Sequence, residues 1–232
     1  MITIKNIAVR ALCTSAIALF SSNSAWALLP IQHWTEPNGA KVYLVESPVI
    51  PMVDVQIDFD AGSRRDPAQQ TGLAAAAASM MSKGLVAGRG EPALDENQLS
   101  EAWADLGASF GGGATSDRMS FSLRSLTYPD LLPRAVALAA RQLAEPAFPA
   151  DIWQRDRERW AASIREANTR PATVAGRAFN RAVYGAHPYG QEATAASLAR
   201  IRVQDMAALH VRAVRPCYAK VSVVGALNRA QT

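Results

Sequence analysis

Residues 52–84 read MVDVQIDFDAGSRRDPAQQTGLAAAAASMMSKG, and the change of pattern within them decides the fold. From Val53 to Asp60 apolar and polar residues alternate strictly, and this period of two predicts a strand over 52–60 with one face on the core. Residues 62–67 break the strand. The alanine-rich run that follows predicts a helix over about 69–82, stopped by Lys83-Gly84, because alanine has the highest helix propensity. A half-buried strand therefore leads into a closely packed helix.

The same two periods recur along the rest of the chain. Asp95, with Gln98 three residues later, is typical of a capping box at a helix start, and Thr127 is a second candidate cap. Further strands are predicted at 33–35, 41–45, 108–115, 118–126 and 220–224, and further helices at 95–106, 127–143, 150–168, 171–184 and 203–214. This order predicts an α+β fold, an antiparallel sheet with helices layered on one face.

The composition is that of an ordinary globular protein. The chain has 232 residues, 49% of them apolar and 19% charged, with a formal net charge of +4. Lys5 and Arg10 lie at the extreme N-terminus, and without them 22 basic residues face 20 acidic ones. The basic residues are also scattered, so we predict neither nucleic acid nor anionic lipid as a partner.

Residues 1–27 are typical of a signal peptide. Lys5 and Arg10 precede an apolar stretch at 11–20, and Ala25-Trp26-Ala27 matches a signal-peptidase site. A buried N-terminal helix is the alternative. We predict cleavage near Ala27 and a periplasmic or extracellular protein.

The predicted mature domain is 28–232. Cys13 would fit a lipoprotein site, but the apolar run continues past it. Removal of the leader leaves Cys217 as the only cysteine, which excludes an internal disulfide. No later stretch reaches eighteen apolar residues, so we predict no membrane span.

Several short motifs resemble a known family when taken in order. They are DFDAGSRRDP at 58–67, TGLA at 71–74, YGAHPYG at 184–190 and VVG at 223–225. From about Ile31 onward the chain resembles the N-terminal half of a subunit of the insulinase/pitrilysin (inverzincin) metallopeptidases. The resemblance implies a fold similar to the mitochondrial processing peptidase-like metallohydrolase domain.

The resemblance implies a zinc site directly after the Gly-Leu-Ala segment, with the sequence H-x-x-E-H. Two histidines four residues apart share a helix face and hold zinc, while the glutamate activates the bound water. At the aligned positions this chain has Ala75 and Ser79 for the histidines and Ala78 for the glutamate. The continuation matches the family at Met80, Lys83 and Gly84. We therefore predict no catalytic residue, no metal site and no cofactor in this chain, and zinc only in an active partner.

The family's third ligand is a glutamate on a later helix, here 151–168. Counting back from Pro171 places Ser163 near that position, although a small shift brings Glu166 close. The other acids of this helix are Asp151, Asp156 and Glu158. A single carboxylate without imidazoles would not hold zinc in either alignment.

No other cluster in the sequence predicts a catalytic site. His33, His187 and His210 are far apart in sequence, and each is interpreted as a surface or capping residue. Cys217 has no histidine in a recognisable arrangement. Residues 111–113 are Gly-Gly-Gly without the Lys-Ser/Thr of a phosphate loop, so they indicate a bulge or a close backbone approach.

The resemblance implies a non-catalytic subunit that helps an active zinc peptidase subunit bind and enclose peptides. The alternatives are a stand-alone structural or binding protein of a membrane or envelope complex, and a truncated fragment without function. Family subunits usually contain two related halves. Whether the second half is a separate chain or is lost stays open.

Overall fold

A computed structural model describes residues 30–88 and 90–232. The predicted signal peptide lies outside these residues and stays a prediction. Residues 31–232 form one compact unit. Within the described residues, no helix is both long and apolar enough to cross a membrane.

Six of the eight described strands form one sheet, in the spatial order β1-β2-β8-β3-β7-β6, and β4 pairs with β5 separately. The strands are β1 (Gln32–Thr35), β2 (Lys41–Glu46), β3 (Met52–Phe59), β4 (Gly84–Leu85), β5 (Leu94–Asp95), β6 (Ser109–Ala114), β7 (Met119–Leu126) and β8 (Lys220–Gly225). The long predicted strands are all confirmed. The two short strands β4 and β5 are too brief to show a period in the sequence.

The predicted antiparallel pairing is confirmed for four of the five neighbouring pairs in this sheet. The exception is β2, which runs parallel to β8. β8 inserts between β2 and β3 and is antiparallel to β3. Since β2 and β3 run in opposite directions, β8 must be parallel to β2, and strand periodicity carries no information about such an insertion.

Seven α-helices are described, together with three short 3₁₀ segments. The helices are α1 (Leu73–Met80), α2 (Glu96–Asp105), α3 (Leu132–Ala144), α4 (Ala150–Ala167), α5 (Pro171–Tyr184), α6 (Ala195–Ala199) and α7 (Val203–Ala213). The predicted capping box is present, because Asp95 accepts from the Gln98 amide at 2.9 Å and the Gln98 side chain accepts from the Asp95 amide at 3.0 Å.

Two predicted helix starts are wrong. Thr127 does not cap α3, which begins at Leu132 with Pro133 in its first turn, where proline is well tolerated. The Thr127 amide instead donates to the Pro51 carbonyl at 3.0 Å. α1 begins at Leu73 rather than near residue 69, because Gly72 has φ +102° and so cannot continue a right-handed helix.

Helices cover one face of the sheet, as predicted. Inward-facing side chains such as Phe59, Phe121 and Leu123 are buried against them. The outer face is polar, with ion pairs such as Arg124–Asp54 at 2.6 Å and Arg118–Asp58 at 3.0 Å. The alternation seen in β3 therefore separates a helix-covered face from a charged face.

Candidate functional site

The loop from β3 to α1 packs against the turn between β6 and β7. A Cβ atom on Gly62 would lie 2.3 Å from the Ser116 carbonyl oxygen, so only glycine permits this approach. Arg64 contacts Asp60 at 2.7 Å and Asp117 at 3.3 Å. Hydrogen bonds from Arg65 and Arg64 lower the pKa of Asp60. The loop is thus held by backbone packing and by charge.

Asp117 also joins two of the segments that carry the family resemblance. The Tyr189 hydroxyl donates to its carboxylate at 2.6 Å, and this hydrogen bond raises the pKa of Tyr189. Arg64 reaches the same carboxylate from the β3–α1 loop. Two motifs that are more than a hundred residues apart therefore meet at one acid.

Asp66 holds the start of α1. Its buried carboxylate accepts from the Gly72 amide at 2.9 Å and from the Ala74 amide at 3.0 Å. These are N–H groups that a helix terminus otherwise leaves without partners. Burial raises the pKa of Asp66, although the bonds from Gly72 and Ala74 act in the opposite direction.

We expect Asp66→Ala to destabilise the chain by about 1–2 kcal/mol in urea denaturation, because the start of α1 loses its acceptor. The folded-state pKa of Asp66 lies above its ordinary value of 3.8. The favourable contribution of protonation is therefore complete below the unfolded-state pKa and is lost as the pH rises through the folded-state pKa.

The stability of wild type relative to Asp66→Asn should accordingly fall as the pH rises from below 3.8, the ordinary pKa, through the higher pKa of the folded state. A difference that stays constant or grows with pH would contradict the raised pKa.

α1 presents the three aligned zinc-motif positions in different environments. Ala78 is buried, with 2% of its surface exposed. Ala75 is half-buried and Ser79 is exposed, and a spacing of four places both on one side of the helix. The opposite side buries Ala77 and Met80 in the core. The open side therefore offers one methyl group and one hydroxyl.

α4 approaches the chain just before and just after α1. A Cβ atom on Gly72 would lie 3.2 Å from the Trp160 ring, and Asp156 approaches Lys83, just past the other end of α1, at 3.8 Å. Ser163 and Glu166, the two candidates for the third-ligand position, are both exposed, and Glu166 pairs with Arg170. Asp156 is thus the carboxylate of α4 that reaches the end of α1, a contact that the sequence did not reveal.

Lys83 belongs to an ion-pair network that ties α2 and α4 to the end of α1. Its ammonium lies 2.6 Å from Glu96, and Arg155 contacts Glu96 at 3.0 Å and Asp156 at 2.8 Å. The hydrogen bond from Lys83 lowers the pKa of Glu96. Burial alone would raise the pKa of Asp156, but the bonds from Arg155 and Arg159 lower it overall. Each carboxylate already has cationic partners.

The three histidines lie in separate local structures. Nδ1 of His187 accepts from the Tyr189 amide at 3.2 Å and caps a 3₁₀ turn, while Nε2 of His210 lies 2.7 Å from the Leu143 carbonyl oxygen. His33 in β1 lies beside Tyr43. These contacts agree with surface and capping roles. Over residues 30–88 and 90–232, no group of three or more His, Cys, Asp or Glu residues could hold a metal ion.

β6 forms one edge of the six-stranded sheet and lies beside α1. In the described part of the chain, no strand pairs with its outer edge. The predicted close approach is confirmed at Gly112, where a Cβ atom would lie 2.2 Å from the Phe121 ring. Gly111 and Gly113 face open space instead. Between Phe110 and Ala114, β6 therefore carries no side chain.

The profile of the insulinase family, peptidase family M16, matches residues 41–197, which is more than half of the chain. The chain therefore belongs to the insulinase family, and the fold and order of motifs described above agree with this assignment.

Solved structures of the same fold include an M16 peptidase inactive domain from Pseudomonas fluorescens. It is 31% identical with a TM-score of 0.80, and the match covers 87% of this chain and 48% of that one. Pitrilysin is 23% identical with a TM-score of 0.70, and the match covers 89% of this chain and 22% of pitrilysin.

The periplasmic protease PqqL from Escherichia coli is 14% identical with a TM-score of 0.73, over 88% of this chain and 23% of PqqL. The last two likenesses show the fold alone. The chain spans about half the length of the Pseudomonas structure. No curated protein sequence matches the present chain.

Proposed function

We propose that the chain is an exported, catalytically inactive subunit of the insulinase family that helps an active zinc peptidase subunit bind and enclose peptides. The observation that carries the proposal is α1, whose start is held by Asp66 and whose inner side is packed in the core, while Ala75, Ala78 and Ser79 occupy the reactive positions. A fold kept without its chemistry favours a role in binding.

The residues of α1 cannot perform metal-assisted hydrolysis. A methyl group has no lone pair for zinc, and Ala78 cannot take a proton from a metal-bound water. The Lys83 ammonium pairs with Glu96 at 2.6 Å, and an ammonium has no lone pair with which to bind zinc. Zinc and the attacking water would therefore be supplied by the partner subunit.

Peptide binding does not need those residues. An extended peptide can add a strand to a sheet edge through backbone hydrogen bonds alone. β6 offers such an edge directly beside α1, and neither Gly111 nor Gly113 has a side chain that would block it. We therefore assign peptide docking to the outer edge of β6.

The proposal is tested by co-expressing the chain with insulinase-family subunits that carry an intact H-x-x-E-H sequence. We expect a stable complex whose peptidase activity exceeds that of the active subunit alone. Absence of a complex with every such subunit would contradict the proposed role.

Peptide docking is tested separately by fluorescence anisotropy with a labelled extended peptide. Gly113→Lys should weaken binding, because a lysine at a sheet edge opposes strand addition. Ser222→Lys is the matched control, since Ser222 is exposed in the interior strand β8. Equal loss in both variants would argue against docking at β6.

A further inference from the structure

α5 is oriented with its apolar side outward. Of the seven described α-helices, it alone has no buried residue. Exposure reaches 67% at Phe179, 55% at Val183 and 49% at Val174. With Ala175, Ala178 and Ala182, these residues cover about half of the helix circumference, at 3.6 residues per turn. We call these six residues the α5 apolar face.

The polar side of α5 faces the rest of the domain. Thr173 and Arg177 are its two half-buried residues. Arg177 pairs with Glu192 at 2.8 Å and contacts the Asn168 side chain. An amphipathic helix normally buries its apolar stripe and exposes its charges. This reversal leaves a contiguous apolar patch in water, which is the usual mark of an interaction surface.

From this reversal we infer that the chain docks through the α5 apolar face onto a second insulinase-type domain. That domain is the partner in the proposed function, so the inference rests on the proposed function. More than half of the 31% identical Pseudomonas structure lies outside the match, so that relative carries further structure of comparable size. The three alanines allow a partner helix to approach closely, and Phe179 is a large anchor of the kind that dominates interface energetics.

Charge favours this partner domain over a second copy of the chain as the molecule that binds the α5 apolar face. Arg181 borders the α5 apolar face, and in the described part of the chain no ion pair engages it. α5 contains no acidic residue. Two α5 helices packed together would bring unpaired arginines to one interface, whereas a partner helix bordered by a carboxylate would neutralise Arg181.

A lipid surface fits the helix less well. Interfacial helices place large apolar residues in the bilayer and direct their cationic residues to the headgroups. Half of the α5 apolar face is alanine, and Arg177 is turned toward Glu192. A protein partner accounts for both observations.

The test measures the affinity between this chain and its H-x-x-E-H partner by sedimentation. Phe179→Asp should weaken the complex by about thirtyfold or more, as expected for a buried aromatic anchor. Val211→Asp is the matched control, since Val211 is 71% exposed on α7 and should leave the affinity unchanged. Arg181→Glu should weaken the complex several-fold and reduce its dependence on salt.

Three outcomes would overturn the inference while leaving the proposed function intact. They are a complex that Phe179→Asp does not weaken, a homodimer of the chain that Phe179→Asp dissociates, and binding to phosphatidylglycerol vesicles that Phe179→Asp abolishes. Absence of any complex with the unaltered chain would overturn both proposals together.

Discussion

A chain carrying Ala75→His, Ala78→Glu and Ser79→His should bind zinc, and the unaltered chain should not. Positions 75 and 79 lie on the open side of α1, where two imidazoles would be four residues apart and directed to one ion. Isothermal titration with zinc should give an affinity about a hundredfold higher than either single histidine variant, because the second ligand binds intramolecularly.

The single variants Ala75→His and Ser79→His are the matched controls. Adding Ser163→Glu should tighten binding further if Ser163 occupies the third-ligand position. If the triple variant binds zinc no better than the single variants, the alignment of α1 with the family motif is wrong.

Phe121→Ala should remove about 3–5 kcal/mol from the free energy of unfolding. Phe121 is 1% exposed in β7 and stacks on Phe110 with ring centroids 6.0 Å apart. It lies edge-on to Phe59 at 6.2 Å, and its ring occupies the space that Gly112 leaves open. Truncation would leave a cavity where the sheet meets α1.

Phe179→Ala is the matched control, because the same change at a 67% exposed phenylalanine should alter stability by less than about 0.5 kcal/mol in the isolated chain. Urea denaturation measures both variants. Equal effects at positions 121 and 179 would contradict the burial described here.

Local patterns predicted much of the fold. The alternation over residues 52–60 identified β3 and the direction of its side chains, and Asp95 with Gln98 identified the start of α2. Thr127 failed as a cap because Pro133 determined where α3 begins. The position of β8 between β2 and β3 could not be predicted, because it follows from packing between distant segments.

The candidate site was predictable only in part. The register of Ala75, Ala78 and Ser79 came from neighbouring motif residues, whereas the contacts that hold α1 join residues far apart in sequence. Asp66 lies in the quoted loop motif, six positions before Gly72. An acidic residue shortly before the predicted helix was therefore a usable signal for the cap. The approach of Asp156 to Lys83 spans more than seventy residues and leaves no local pattern.

α5 shows a different limit of prediction from sequence. The sequence predicts a helix at 171–184, and the helix is there. Amphipathicity alone implies that the apolar side is buried. That Arg177 faces the domain and Phe179 faces water depends on the placement of Glu192 and Asn168, which only the structure gives.

Anomalous diffraction at the zinc edge, from crystals of the unaltered chain grown with zinc, tests most directly whether the degenerate helix has lost its metal. We expect no peak within coordination distance of Ala75 or Ser79. A zinc ion at full occupancy beside these residues would contradict the account of an inactive subunit.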